Sequence, residues 1–184
     1  MIVTTEQAAT RPIRLVFQDR IHEVSGVAPT LSVLEWLRGP TRCTGTKEGC
    51  AEGDCGACTV IVAELAPPTV APEQSGPSTP ASRDAQAIRV GPLLLRPINA
   101  CIRFLPTLDG KALLTVEDLA QGSLLHPAQQ ALVECHGSQC GFCTPGMMTA
   151  SVALLRQDPA PDEAAITRAL GGVLCRCTGY RKII

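Results

Sequence analysis

Residues 49–58 read GCAEGDCGAC. Three cysteines, three glycines, two acids and two alanines fill these ten positions. Such a stretch is too polar for a core strand and too rich in glycine for a stable helix. It predicts a loop that crowds Cys50, Cys55 and Cys58 together. Upstream, IRLVF (13–17) alternates as a strand does, and Asp19 and Arg20 turn the chain into a second short strand ending near Val24. Leu31, Leu34 and Leu37 are spaced for a short helix over 31–38, stopped by Arg38-Gly39-Pro40. Downstream, TVIVAEL (59–65) has the β-branched content of a strand, IRVGPLLL (88–95) resumes the sheet, and KALLTVEDL (111–119) reads as a further strand running into a turn.

Between them, residues 66–82 hold five of the fifteen prolines and no aromatic residue. That composition cannot bury enough apolar surface to order itself, which predicts an exposed insertion reaching to about residue 87. After residue 120 the texture becomes helical. HPAQQALVECHG (126–137) and TPGMMTASVALLRQ (144–157) each carry proline at the helix start. PDEAAITRALGG (161–172) opens on acids and closes on two glycines, and a last helix is expected to begin near Gly179.

The net charge is −1, from 16 basic and 17 acidic residues. No basic run suggests a nucleic-acid face, and no segment is long and apolar enough for a membrane span. The start, MIVTTEQAAT, does not read as a signal peptide. Ten cysteines without such a leader point to the cytoplasm, where thiols stay reduced and clustered thiols hold metal.

Cys50-x4-Cys55-x2-Cys58 is the plant-type spacing for a [2Fe–2S] cluster, which needs a fourth thiolate from further along the chain. Cys101 is the sole cysteine between 58 and 135 and is the fourth ligand by elimination. Two ferric ions, two sulfides and four thiolates carry a formal charge of about −2. Inward-turned main-chain N–H groups offset that charge, and Gly45, Gly49, Gly53 and Gly56 are expected to supply the φ > 0 conformations required. A four-cysteine zinc knuckle is the alternative, although such sites use two separated CxxC pairs. The second set is Cys140-x2-Cys143 with Cys175-x-Cys177. Both pairs fall at expected helix starts, where free N–H groups favour a negative cluster. For this set alone zinc is nearly as good a reading as iron, and either metal would staple a helical half too small to rest on its core.

Cys135 reads as a small hydrophobe packed within its helix, and Cys43 as a spare thiol. A thiol-based redox sensor using one of them is a rival function, as is a zinc-stapled interaction module. His22 and His126 read as surface residues, and His136 draws attention only by its place beside the second motif.

TGTKEGCAEGDCGACTV (44–60), INAC (98–101), HGSQCGFCTPGM (136–147) and LCRCTGY (174–180) together resemble the iron–sulfur part of the molybdenum hydroxylases, the xanthine dehydrogenase/oxidase family. The likeness runs from about Ile13 to Tyr180, and KEGCAEGDCGACTV is most similar to bacterial xanthine dehydrogenase small subunits. It implies an α+β chain: a β-grasp ferredoxin-like domain over 12–118, with the Pro-rich insertion at 66–87, then an all-α four-helix [2Fe–2S]-binding domain over 119–184. It implies two clusters, electrons passing from a molybdopterin centre to FAD and then NAD, and no substrate chemistry on this chain. Molybdopterin is expected on a large partner subunit, and FAD on a further domain or subunit. Gln139 and Cys177 match positions whose residues contact the pterin; Gln139 capping the helix that ends at Gly137 is the plainer alternative. Purines, aldehydes, carbon monoxide and N-heterocycles are all substrates of relatives with these cysteines. The long stretch between Cys58 and Cys101 departs from the family pattern.

Overall fold

A computed structural model describes residues 11–66 and 87–184. The expected insertion therefore lies almost wholly outside the described residues. The chain runs β1 (Ile13–Phe17), β2 (Arg20–Val24), α1 (Val33–Arg38), β3 (Thr59–Leu65), β4 (Ile88–Val90), β5 (Leu93–Asn99), β6 (Ala112–Leu114), α2 (Pro127–Glu134), α3 (Thr144–Gln157) and α4 (Glu163–Leu170). Short 3-10 turns at Leu105–Leu108 and Val116–Asp118 flank β6.

The six strands form one mixed sheet in the order β2-β1-β6-β3-β5-β4. The β1–β6 pair is parallel and the other pairs are antiparallel. β1 alternates buried and exposed because its odd positions, Ile13, Leu15 and Phe17, face the core that α1 covers. Trp36 and Leu37 of α1 close that core with Val60, Val62 and Leu113. α1 is two residues shorter at its start than the leucine spacing predicts. Ser32 is the cap: its Oγ accepts from Glu35 N at 3.1 Å, and Glu35 Oε2 accepts from Ser32 N at 2.8 Å.

The expected strand 88–95 is a hairpin of two strands. Gly91 (φ +57°) and Pro92 turn the chain, and β5 continues to Asn99. Pro97 lies opposite Ile61 of β3 and past the three residues of β5 that pair with β4.

In the second half α2, α3 and α4 surround Leu132, Met147, Met148, Leu170 and Val173. The expected fourth helix is a turn, with Ile183 and Ile184 N–H groups both donating to Tyr180 O. The half is fastened to the sheet. Ala153 of α3 packs on Ile61 and Ile88, and Thr149 Oγ1 donates to Thr59 O at 2.8 Å. Among the described residues no helix is long and apolar enough to cross a membrane.

Candidate metal centres

The loop between α1 and β3 carries Cys50, Cys55 and Cys58. Arg38 Nη1 donates to Thr44 O at 3.1 Å and Thr46 O at 2.8 Å, and Lys47 N donates to Ala57 O at 3.3 Å, so both ends of the loop are tied. Cys50 Sγ accepts main-chain N–H groups from Glu52, Cys55 and Asp54, the one from Cys55 at 3.4 Å. The Glu52 and Cys55 N–H groups hold the Cys50 thiol down to about 7. This is the N–H cradle the glycines imply, although they build it in two ways. Gly53 (φ +90°) and Gly56 (φ +67°) supply left-handed backbone, with Ala51 (φ +59°) beside them. Gly45 and Gly49 are instead needed for close approach: a Cβ would lie 2.6 Å from Glu117 Oε1 at Gly45 and 2.8 Å from Cys55 Sγ at Gly49.

Cys101 arrives from the end of β5. Asn99 Nδ2 donates to Gly53 O, and Ala100 N donates to Cys58 O at 3.2 Å, while Leu34 N of α1 donates back to Ala100 O at 3.0 Å. These contacts place Cys101 Sγ 3.3 Å from Cys58 Sγ. Burial raises the Cys101 thiol to about 11, helped by its hydrogen bond to Cys58. The four sulfurs thus come as two pairs, Cys50 with Cys55 and Cys58 with Cys101.

The second set repeats this pairing in another setting. Cys177 Sγ lies 3.3 Å from Cys140 Sγ, and the Cys143 and Cys175 thiols influence one another through their side chains. Cys143 caps α3 and is buried; burial pushes its thiol up to about 12. Cys140 is exposed and held low by the Phe142 N–H. Cys177, also exposed, is raised by its hydrogen bond to Cys140. Burial raises Cys175, and hydrogen bonds from Thr178 outweigh it to leave the thiol below its ordinary value. No helix follows the CRC segment. Its geometry comes from the chain's single tyrosine: Tyr180 Oη accepts from Cys175 N at 2.8 Å and donates to Val173 O at 2.9 Å.

Both sets fit metal. Two thiolates about 2.3 Å from one tetrahedral metal lie about 3.8 Å apart, close to the 3.3 Å of each measured pair. Among the described residues no three His, Cys, Asp or Glu side chains converge on one ion-sized point. The two-and-two arrangement suits a binuclear centre, whose irons each take two thiolates.

Of the other residues singled out by sequence, Cys135 is exposed rather than packed. α2 ends at Glu134, and Cys135 N caps it onto Ala131 O with the thiol outside. Cys43 is buried, its Sγ against the Glu117 carboxylate and 3.9 Å from Thr115 Oγ1. His126 is a half-buried cap whose Nδ1 accepts from Ala128 N at 3.2 Å. His22 packs edge-on against Trp36 at 5.6 Å. His136 and Gln139 are exposed. α2 is closed by main-chain bonds from Cys135, His136 and Gly137, so Gln139 is not its cap. Sequence reasoning missed Phe142, Leu174 and Asn99, since their partners lie tens of residues away.

Residues 115–184 match the family model of the [2Fe-2S] binding domain. Over 161 residues the chain is 45% identical to a xanthine dehydrogenase from Emericella nidulans, which covers 88% of this chain and 10% of that protein. Over most of its own length it is similar to xanthine dehydrogenases and aldehyde oxidases. It is 43% identical over 161 residues to aldehyde oxidase 1 from Rattus norvegicus, covering 87% of this chain and 10% of that one. The chain thus spans about a tenth of the length of these relatives. Among solved structures it matches the quinoline 2-oxidoreductase of Pseudomonas putida 86 with a TM-score of 0.71 at 29% identity, covering 96% of this chain and 89% of that one. It matches the aldehyde oxidoreductase of Desulfovibrio gigas with a TM-score of 0.72 at 26% identity, covering 95% and 16%. Residues 115–184 are a [2Fe–2S]-binding domain, and the chain is similar to the part of these oxidoreductases that it spans.

Proposed function

We propose that this chain carries two [2Fe–2S] clusters, one on Cys50, Cys55, Cys58 and Cys101 and one on Cys140, Cys143, Cys175 and Cys177, and relays electrons between them. The observation that carries this reading is a single hydrogen bond. Leu174 N, next to Cys175 of the second set, donates to the carbonyl of Cys55 in the first at 2.9 Å. The two sites are therefore joined by a few covalent bonds and one hydrogen bond. The sheet order supports a β-grasp reading of the first part. A boundary near 118/119 between the two parts is supported by the family model's start at Thr115 and by Val116 and Leu119, which pack with the helical core.

Within a whole enzyme, the exposed edge made by Cys140, Cys177 and Gln139 suits a partner bearing molybdopterin, with the first cluster directed toward FAD and NAD. A purine such as xanthine is the substrate we favour from the wording of residues 47–60. The aldehyde oxidases are almost as similar, so aldehydes and N-heterocycles are the competing class. The reduced thiols suit a cytoplasmic setting.

Iron, sulfide and visible spectra test the core of this reading. About four irons per chain and broad absorption are expected. A colourless protein holding zinc would replace it with the interaction-module reading, and about two irons would remove one cluster. Turnover of the assembled complex with xanthine, aldehydes and quinoline separates the substrates. Gln139→Ala should slow substrate-driven cluster reduction while dithionite reduction of the chain stays normal; an unchanged rate with full clusters removes Gln139 from the electron entry edge.

A further inference from the structure

One residue of the second cysteine loop reaches into the first. Phe142 lies between Cys140 and Cys143. Its main-chain N–H donates to Cys140 Sγ. Its ring turns the other way, onto Gly49, where a Cβ would meet Phe142 Cε1 at 3.3 Å and Cys55 Sγ at 2.8 Å. The ring edge and the Cys55 sulfur therefore converge on the same point of the first loop. Further along that loop Ile102 covers Gly53, its Cδ1 2.8 Å from the position of a Cβ. Phe142 and Ile102 remain 47% and 54% exposed, because each lies over a glycine-lined surface and not within a core.

The apposition is held from behind. Gly56 fits against Gly172 and Gly146, with no room for a side chain at either Gly56 or Gly146, and Leu174 N bonds Cys55 O. The second loop cannot move away from Gly49 without breaking this seam. We infer that Phe142 shields the first, ferredoxin-type cluster from water and so sets its reduction potential, although Phe142 belongs to the loop that ligates the second. The inference rests on the two-cluster reading above.

The physical argument is one of charge. Reduction adds an electron to a cluster already at about −2, and water stabilises the more negative state more than a hydrocarbon edge does. Taking the ring away admits water beside Cys55 and favours reduction of the first cluster. The second cluster keeps its ligand set and its N–H donor, since any residue but proline supplies the amide to Cys140.

The test is a redox titration followed by electron paramagnetic resonance on the full chain, loaded with iron and sulfide, in wild type, Phe142→Ala, Phe142→Gln and Phe142→Leu. Iron content and two distinguishable signals in the wild type test the cluster reading itself; the variants test the shield. At the wild-type midpoint of the first centre, the ratio of reduced to oxidised first cluster should rise from one to about three or more in the Ala and Gln variants. The second centre should not move, and Leu, which restores apolar bulk, should return the first centre to near wild type. If Ala costs the first site its iron, Gln keeps the volume and decides the matter. An unmoved first centre in the loaded variants, or a shift confined to the second centre, would overturn the inference.

Discussion

The two cysteine sites differ in what surrounds the same four thiols. In the first, Cys58 is buried and Cys50, Cys55 and Cys101 are partly covered, three of them on a loop tied to α1 at its start and running into β3, and Cys101 reaching in from the end of β5. In the second, Cys143 is buried under α3 while Cys140 and Cys177 stand exposed at one edge. The first site is built from main-chain N–H groups and glycine. The second is built from a helix end, a threonine hydroxyl and a tyrosine. A site that only has to pass electrons can be closed on most sides, whereas an open thiol edge suits contact with another component. Yet the two are not separate modules, because the seam at Gly56, Gly146 and Leu174 fixes each against the other.

The largest expected effect comes from breaking that seam. Gly56→Ala puts a Cβ 2.1 Å from Gly172 O on a residue at φ +67°, which should cost about 2–4 kcal/mol in urea unfolding and disturb both spectral signals. Gly91→Ala is the control: its φ is +57° but nothing lies within 4 Å of the added atom, so a loss of about 1 kcal/mol with both signals intact is expected. Equal losses would show that the seam is slack.

Next are the two kinds of thiol within the second site. Cys140→Ser and Cys143→Ser should each remove the second signal and lower iron from about four to about two per chain. In the metal-free chain they should part company. Cys143→Ser would bury a hydroxyl where a thiol packed against Met147 and Leu132, at about 1–3 kcal/mol, while Cys140→Ser, at an exposed position, should leave the unfolding midpoint unchanged.

A smaller effect is expected for Thr149→Val. It removes the bond to Thr59 O and leaves a buried carbonyl short of a donor, at about 1–2 kcal/mol, with cluster content preserved. Loss of either cluster would mean that this single bond, and not the glycine seam, sets the spacing of the halves.

The finest distinction is in ionisation. In the metal-free chain Cys50 has its thiol lowered to about 7, so its reactive thiolate forms as pH rises through about 7, whereas Cys101, raised to about 11, stays a thiol until pH is far higher. Iodoacetamide labelling followed by peptide mass spectrometry between pH 7 and 9 should therefore mark Cys50 and spare Cys101. Equal labelling of both would show that the N–H cradle does not form before the metal binds.

What the sequence determined by itself is local. The spacing of Cys50, Cys55 and Cys58 confines three thiols within nine residues, and a pattern that short leaves few arrangements for the sulfurs. The same holds for α3, whose Pro145 start and largely apolar run fixed both its ends at Thr144 and Gln157, and for β1 and β3 with their alternating or β-branched runs. Elimination named Cys101, and the sheet explains why it arrives: β5 pairs with β3 in a register that sets Asn99 opposite Thr59, one residue from Cys58.

The tertiary structure alone decided the rest, because those features depend on contacts across tens of residues that no period in the chain encodes. It paired the thiols two by two, turned Cys135 out to solvent and buried Cys43 against Glu117. It divided the loop glycines between backbone freedom and close approach. It also set Leu174 on Cys55 and Phe142 on Gly49, so that each cysteine loop completes the surroundings of the other.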